Sequence, residues 1–143
     1  MAIRTGSARW EGTLQQGKGT VSTETKVLKK EKYSFSSRFE EGKGTNPEEL
    51  IAAAHAGCYS MAFSLGLEEA GFEPKSVETE DKVHLEQVGD GFAITKIEIN
   101  TVVEAPGLDE ETFQQIAEDT KNGCPVSKAL QGVEFVLNAR LKS

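Results

Sequence analysis

The sequence contains few of the residues that cross-link a protein or attach it to polyanions. Its 143 residues include only two cysteines, which excludes a disulfide-built scaffold but allows one redox couple. Lysine and arginine total 16 against 23 acidic residues, and the net charge of −7 disfavours binding to nucleic acid or anionic membranes. Hydrophobic residues still make up 37% of the chain, which is enough for a core. The composition therefore predicts a globular protein with one domain over residues 1–143.

Long apolar runs are also missing. Residues 1–6 lack the hydrophobic stretch of a signal peptide. The most apolar segment, residues 50–67, is interrupted at His55, Gly57, Ser60 and Ser64, so we expect no membrane span. We expect a cytoplasmic protein, in which thiols are mostly reduced and a disulfide is more often transient than structural.

Alternation of apolar and polar residues predicts strands at both ends and in the middle of the chain. These are strands at 8–11, 19–23 and 33–39, a hairpin within 77–104 and a last strand at 133–141. In the strand at 33–39, the period of two places Arg38 on the opposite face from Tyr33, Phe35, Ser37 and Phe39.

Helix signals lie between these strands. Asn46 is a good N-cap, Pro47 suits the first helical position and Gly71 a C-terminal cap, so a long helix is predicted over 46–70. Its apolar residues recur at spacings of three and four, which predicts a narrow apolar seam of Ile51, Ala54, Cys58, Met61 and Leu65.

Two shorter helices are predicted after the hairpin, over 109–121 and from Cys124 to about Leu130. The element order is then βββ-α-ββ-αα-β. This order predicts an α+β fold, in which an antiparallel sheet carries a long central helix.

A metal site is not expected, because the soft ligands do not occur at ligand spacing. The sequence has no Cys-x-x-Cys and no His-x-x-x-His pair. His55 lies three residues before Cys58 and could share its helical edge, but we interpret it as a partly buried or interface histidine.

The two cysteines have different predicted environments. Cys58 lies in the helix seam, where a free cysteine often acts as a small hydrophobic residue. Cys124 stands between Gly123 and Pro125 at a helix N-cap, where unpaired N–H groups favour a thiolate. Helix position alone therefore favours Cys124 as the nucleophile, and a nearby cation is needed to make Cys58 the stronger thiolate.

Arg38 is a candidate for that cation, because it precedes the loop to the Cys58 helix, although a solvated arginine is an equal alternative. Glu49 fits a capping box with Asn46, and its carboxylate can also hold a guanidinium in bidentate geometry. On a straight helix, Glu49 is about half a turn out of phase with Cys58 and about 13 Å away along the axis. If Arg38 and Glu49 serve Cys58, they most simply come from a second chain, which predicts a homodimer with composite sites.

Two motifs surround the cysteines. Residues 44–51 form Gly-Thr-Asn-Pro-Glu-Glu-Leu-Ile and lead to His-Ala-Gly-Cys at 55–58, while residues 123–130 form Gly-Cys-Pro-Val-Ser-Lys-Ala-Leu. With these motifs, the chain resembles the OsmC/Ohr family of osmotically inducible and organic-hydroperoxide-resistance proteins over nearly its whole length. Segments typical of the OsmC branch stand at 10–12, 17–23 and 37–40.

The resemblance implies an intertwined homodimer and a thiol-dependent peroxidase that reduces organic hydroperoxides, and H₂O₂ less well, in oxidative or osmotic stress defence. It implies that Cys58 is the peroxidatic thiolate, which becomes a sulfenic acid, and that Cys124 is the resolving thiol, which forms a disulfide with it. Arg38 and Glu49 are the implied activating pair. No metal, haem or flavin is expected, and an external dithiol protein, lipoyl-type by analogy, would reopen the disulfide.

Apolar residues near these positions are candidates for a pocket that binds the alkyl group of the substrate, namely Phe39, Leu50, Ile51 and Met61. The alternative function is a non-enzymatic module that binds a hydrophobic ligand and in which both cysteines are inert. The combination of two cysteines with Arg38 and Glu49 favours the enzyme.

Overall fold

The structure, a computed structural model, describes residues 2–142, so Met1 and Ser143 at the ends of the predicted domain lie outside the described residues. The contacts within the chain divide it into two compact units, with the boundary between Leu50 and Ile51. The single domain over residues 1–143 stays a prediction.

The N-terminal unit is built on a three-stranded antiparallel sheet of order β1-β2-β3. Its elements are β1 (Gly6–Glu11), β2 (Lys18–Thr23), β3 (Glu31–Tyr33), the short helix α1 (Phe35–Phe39) and the first turn of α2 (Pro47–Glu69). On the sheet, the rings of Trp10 and Tyr33 pack at a centroid distance of 5.4 Å across β2. Gly19 lies between them, and a Cβ at this position would come within 2.5 Å of both rings.

The predicted strand at 33–39 is wrong beyond Tyr33, because a helix cap follows it directly. Ser34 Oγ accepts a hydrogen bond from Ser37 N–H at 3.1 Å, and Ser37 Oγ accepts one from Ser34 N–H at 2.8 Å. This reciprocal capping box begins α1. Arg38 therefore lies in the last turn of a helix. The prediction that it lies on the opposite strand face from Tyr33, Phe35, Ser37 and Phe39 is wrong, because these residues beyond Tyr33 do not form a strand.

The C-terminal unit combines most of α2 with a second three-stranded sheet, of order β4-β5-β6. Its further elements are β4 (Ser76–Val88), β5 (Gly91–Glu104), α3 (Glu110–Gly123), α4 (Pro125–Ala129) and β6 (Glu134–Leu141). The β4–β5 hairpin is antiparallel, whereas β6 is parallel to β5 because α3 and α4 form a crossover between them.

The α+β class and the long central helix are confirmed. The predicted antiparallel sheet is corrected on two points: each unit has its own sheet, and the last strand pairs in parallel. The second point follows from the crossover, which brings the chain back to the end of the sheet at which β5 began.

The core of the C-terminal unit is formed by one face of α2, the inner face of β5 and α3. Its fully buried members are Tyr59, Phe63, Leu67, Ile97, Ile99, Val103, Phe113 and Ala117. The buried face of α2 is thus formed by Tyr59, Phe63 and Leu67, which are not members of the predicted apolar seam. Met61 and Leu65, two members of that seam, are 78% and 54% exposed. They lie on a second, apolar face of α2.

By length and composition alone, α2 could cross a membrane. Its buried face, however, packs in the core of the C-terminal unit, and His55 on this face is paired with Asp81. In this structure α2 is therefore the core helix of the C-terminal unit.

Candidate active site

Cys58 and Cys124 are neighbours in the C-terminal unit, although α3 and two strands separate them in sequence. Cys58 is half-buried on α2, Cys124 is buried between α3 and α4, and both are free thiols. As predicted, Cys124 is an N-cap, since its Sγ accepts a hydrogen bond from Ser127 N–H at 3.4 Å. The fold therefore brings together the two thiols that the sequence singled out.

The surroundings of Cys58 within the chain do not favour its thiolate. Burial raises the pKa of the Cys58 thiol, a hydrogen bond from the backbone of Val126 lowers it, and the Cys124 thiol beside it raises it again. No cation is among the main causes of this shift. A nucleophilic cysteine needs its pKa lowered, and these surroundings do not lower it.

Arg38 is held by Glu48, the second residue of α2. Arg38 Nε and Nη2 lie 3.0 and 2.9 Å from Glu48 Oε1. The Glu48 side chain is only 9% exposed, whereas that of Arg38 is 40% exposed and its guanidinium lies 5.3 Å from the centre of the Phe39 ring. A buried carboxylate paired with a partly exposed guanidinium orients the cation and leaves part of it available to another group.

Hydrogen bonds between α1 and the start of α2 hold this pair in place. Ser37 Oγ donates to the Thr45 carbonyl at 2.8 Å, and Asn46 Nδ2 donates to the Ser37 carbonyl at 3.1 Å. Glu48 Oε2 is buried without a hydrogen-bond partner among the described residues. The carboxylate therefore has one acceptor that Arg38 does not use.

The predicted pairing of Arg38 with Glu49 is wrong. Glu49 is exposed, and its Oε2 accepts a hydrogen bond from Thr45 Oγ1 at 2.9 Å. Its N–H donates to Asn46 Oδ1 at 2.7 Å, which confirms Asn46 as the N-cap. Adjacent helical residues project about 100° apart, so Glu48 and Glu49 cannot both face Arg38. The sequence offered two adjacent glutamates, and only the position of α1 against α2 distinguishes them.

A line of buried polar groups leads away from Cys124. Cys124 Sγ lies 3.1 Å from Ser127 Oγ, which lies 2.8 Å from His55 Nε2, and His55 Nδ1 is hydrogen-bonded to a carboxylate oxygen of Asp81. The side chains of His55 and Asp81 are fully buried, and Ser127 is 3% exposed. The interpretation of His55 as only partly buried is corrected, because the ring is enclosed and stacks on Phe135 at 5.2 Å.

Sequence reasoning missed Ser127 and Asp81. Ser127 could have been found from its position three residues after the Cys124 cap, where a side chain returns to the cap. Asp81 is one of several acidic residues on β4, and only the packing of β4 beside α2 distinguishes it.

Comparison with known proteins identifies the family. The family model of OsmC-like proteins matches residues 40–138. Peroxiredoxin OsmC of Escherichia coli strain K12 is 55% identical over 138 residues, which cover 96% of this chain and 96% of that protein. The chain belongs to the OsmC-like protein family. Organic hydroperoxide resistance protein OhrB of Bacillus subtilis is 33% identical over 116 residues, covering 80% of this chain and 82% of OhrB.

The fold of this OsmC-like chain agrees with that of solved relatives. The crystal structure of OhrB from Bacillus subtilis superposes with a TM-score of 0.69 at 29% identity, and the match covers 96% of this chain and 98% of OhrB. The OsmC/Ohr resemblance seen in the cysteine motifs is therefore confirmed by both the sequence and the fold.

The residues predicted to bind an alkyl group have different surroundings in this OsmC-like chain. Ile51 packs against the core of the C-terminal unit, Met61 is exposed and Leu50 is half-buried. The ring of Phe39 packs at a tilt against that of Phe35, with a centroid distance of 5.0 Å. The alkyl pocket stays a prediction. A cavity of about 460 Å³ opens beside Cys124, lined by Ala62, Leu65, Gly66, Glu69, Ile116, Asp119, Thr120 and Gly123.

Potential metal ligands are dispersed in this structure. Across residues 2–142, no three His, Cys, Asp or Glu side chains are grouped closely enough to hold a metal ion.

Proposed function

We propose that this protein is a cysteine-based peroxidase that reduces organic hydroperoxides to alcohols, and H₂O₂ less well, in oxidative or osmotic stress defence in the cytoplasm. The observation that carries the proposal is the contact between two free thiols, Cys58 and Cys124, in a chain of the OsmC-like family. The names of the relatives, a peroxiredoxin and an organic hydroperoxide resistance protein, support the same reaction.

In the first step, the Cys58 thiolate attacks the hydroxyl oxygen of the hydroperoxide. A sulfur–oxygen bond forms, the oxygen–oxygen bond breaks, and the alkoxide takes a proton and leaves as the alcohol. Arg38 is the proposed cation for this step, since a guanidinium stabilises both the thiolate and the charge that develops on the leaving oxygen. Glu48 is the proposed positioning residue, in place of Glu49, because it orients Arg38.

In the second step, Cys124 attacks the sulfur of the Cys58 sulfenic acid. A disulfide forms and water leaves, which protects Cys58 from further oxidation. An external dithiol, such as a lipoyl group on a reductant protein, then exchanges with the disulfide and restores both thiols. The dithiol is oxidised to its own disulfide, so one peroxide consumes one dithiol.

The cation has to reach Cys58, and we propose that it comes from a second copy of the chain. Two observations support a homodimer: the surroundings of Cys58 raise its pKa, and α2 exposes Met61 and Leu65 on the face it shares with Cys58. Pairing of two α2 helices would cover these side chains. Each site would then combine the Arg38–Glu48 pair of one protomer with the cysteines of the other.

Mixing two variants that each lack one part of the site tests this composite site. Arg38→Ala and Cys58→Ser chains, unfolded and refolded together, are expected to form heterodimers with about one intact site each, so activity reappears. A mixture of Arg38→Ala with Glu48→Gln is the matched control and should gain nothing, because both changes damage the same pair. Lack of recovery in the first mixture, with heterodimers present by mass spectrometry, would contradict the composite site.

Intact mass tests the reaction itself. One equivalent of cumene hydroperoxide is expected to remove two hydrogens from each reduced chain, because a Cys58–Cys124 disulfide forms, and a dithiol should restore the original mass. An unchanged mass would overturn the peroxidase and favour a binding module with inert cysteines.

A further inference from the structure

We propose that Ser127, His55 and Asp81 form a buried relay that removes the proton of Cys124 when this thiol resolves the sulfenic acid at Cys58. The inference rests on the proposed function, since it assigns residues to the second step of that reaction. It comes from the line of hydrogen bonds that joins Cys124 to Asp81 through α4, α2 and β4.

In the proposed resting state, the line of hydrogen bonds runs from the Cys124 thiol toward the Asp81 carboxylate. Asp81 is ionised and accepts from His55 Nδ1–H, and the uncharged ring leaves Nε2 as an acceptor. The Ser127 hydroxyl then donates to Nε2 at 2.8 Å, and its oxygen accepts from the Cys124 thiol at 3.1 Å. Two hydrogen bonds therefore connect the proton of Cys124 to a basic nitrogen.

Transfer along these bonds leaves every group with a partner. Ser127 passes its proton to His55 Nε2 and receives that of Cys124, so that its hydroxyl afterwards donates to the thiolate. Ser127 N–H, at 3.4 Å from Sγ, is a second donor to the thiolate. The imidazolium that forms is neutralised by Asp81, a charge pair that low local polarity strengthens.

The complete step balances in atoms and charge. The Cys124 thiolate attacks the Cys58 sulfur, the sulfur–sulfur bond forms, and the sulfur–oxygen bond of the sulfenic acid breaks. The oxygen leaves as hydroxide and takes a proton from solvent, which makes water, and His55 returns its extra proton to solvent, so that no net proton is gained or lost. The sum is one sulfenic acid and one thiol converted to one disulfide and one water.

Cys124 needs such a relay because it is only 1% exposed, so bulk water has poor access to its proton. Burial raises the pKa of Tyr59 far above neutrality, Glu118, Cys124 and Asp81 raise it further, and its hydroxyl donates to the Ala117 carbonyl at 2.9 Å. Tyr59 therefore cannot act as the base at neutral pH. The charged and titratable groups near Cys124 and the relay include Cys58, His55 and Tyr59 on α2, Asp81 on β4, Glu118 on α3, Lys128 on α4, and Glu69 and Asp119 beside the cavity.

A purely structural role does not account for the composition of this network. Asp81 Oδ1 is buried with no hydrogen-bond partner among the described residues. Burial of an unpaired oxygen lowers the stability of the fold, and an apolar contact between the same elements would avoid this loss. A relay needs the charge of Asp81 at this position, because an uncharged partner would not stabilise the imidazolium.

A rapid-mixing experiment measures the formation of sulfenic acid and the formation of the disulfide separately. Reduced full-length protein is mixed with one equivalent of cumene hydroperoxide, and samples are quenched at intervals to measure sulfenic acid, trapped by dimedone, and disulfide by mass. In Ser127→Ala, sulfenic acid should form at the wild-type rate, whereas disulfide formation should slow about 100-fold at pH 7, at the lower end of general-base contributions. Ser127→Thr keeps the hydroxyl and should form the disulfide at the wild-type rate. Asp81→Asn keeps the volume of the side chain but removes its charge, so disulfide formation should be slower.

The pH profile distinguishes a relay from a packing defect. Hydroxide can take over the role of the base, so resolution in Ser127→Ala should rise with pH toward the wild-type rate. A packing defect would leave resolution slow at every pH, and that result would overturn the relay. If Ser127→Ala is poorly folded, Asp81→Asn is tested through the same two rates and the same pH range.

Failure of the relay and failure of the proposed peroxidase give different results in these experiments. Equal resolution rates in wild type, Ser127→Ala and Asp81→Asn, with normal formation of sulfenic acid, would overturn the relay and leave the peroxidase intact. Absence of sulfenic acid and disulfide in the wild type would overturn the peroxidase, and with it the relay.

Discussion

Replacing Cys58 by serine is expected to abolish turnover of organic hydroperoxides. A serine hydroxyl is a far weaker nucleophile than a thiolate at neutral pH, and it cannot form the sulfenic acid that Cys124 attacks. Loss of a covalent nucleophile lowers the rate by on the order of 1,000-fold or more in other enzymes. The measurement is consumption of cumene hydroperoxide in the presence of excess dihydrolipoamide, compared with buffer alone.

Cys124→Ser is the matched control for this prediction. Its Cys58 should react once, and the chain should gain one oxygen instead of losing two hydrogens. Excess peroxide should then add a second oxygen, because no resolving thiol removes the sulfenic acid. Full multi-turnover activity in Cys58→Ser would refute the assignment of Cys58, and equal losses in the first half-reaction of both variants would refute the division of roles.

Arg38→Ala is expected to slow the first step about 10- to 1,000-fold, the range that corresponds to a cation shifting a nearby pKa by one to three units. A nearby cation lowers the pKa of a thiol, so the variant should keep Cys58 protonated to a higher pH. The measurement is the rate of alkylation of Cys58 by iodoacetamide against pH, in a Cys124→Ser background. The midpoint of this profile should move upward in Arg38→Ala, and the rate of sulfenic acid formation at pH 7 should fall.

The adjacent glutamates provide a matched pair for the same prediction. Glu48→Gln removes the charge that is bonded to Arg38 and should slow sulfenic acid formation about tenfold, because the guanidinium is less well oriented. Glu49→Gln changes an exposed side chain bonded to Thr45 and should leave the rate unchanged. A loss in Glu49→Gln as large as that in Glu48→Gln would contradict the proposed role of the Arg38–Glu48 pair.

The short helix α1 could not be predicted, because the same residues fit both the alternation of a strand and the spacing of a helix cap. Residues 33–39 alternate aromatic and serine side chains as a strand does, yet the same serines at 34 and 37 have the spacing of a capping box. In the structure, the reciprocal hydrogen bonds of the two serines and the tilted packing of Phe35 against Phe39 stabilise one helical turn. The alternation of side chains alone does not show whether these capping hydrogen bonds or the hydrogen bonds of a strand ladder are more stable.

The buried face of α2 could not be predicted for a different reason. Apolar residues occur around much of this helix, so their spacing allows a seam through Cys58 and Met61 as well as one through Tyr59 and Phe63. The structure covers the second set with β5 and α3 and leaves Met61 exposed. Only the presence of a packing partner distinguishes the two faces.

The sequence by itself determined the helices α2, α3 and α4, the caps at Asn46 and Cys124, the two cysteine motifs and the family. These features depend on residues within a few positions of one another, so the sequence pattern contains them directly. Tertiary structure alone decided that Arg38 pairs with Glu48, and that His55 joins Asp81 to Ser127 beside Cys124. These contacts join different elements, and periodicity shows which face a residue occupies but not which side chain packs against it.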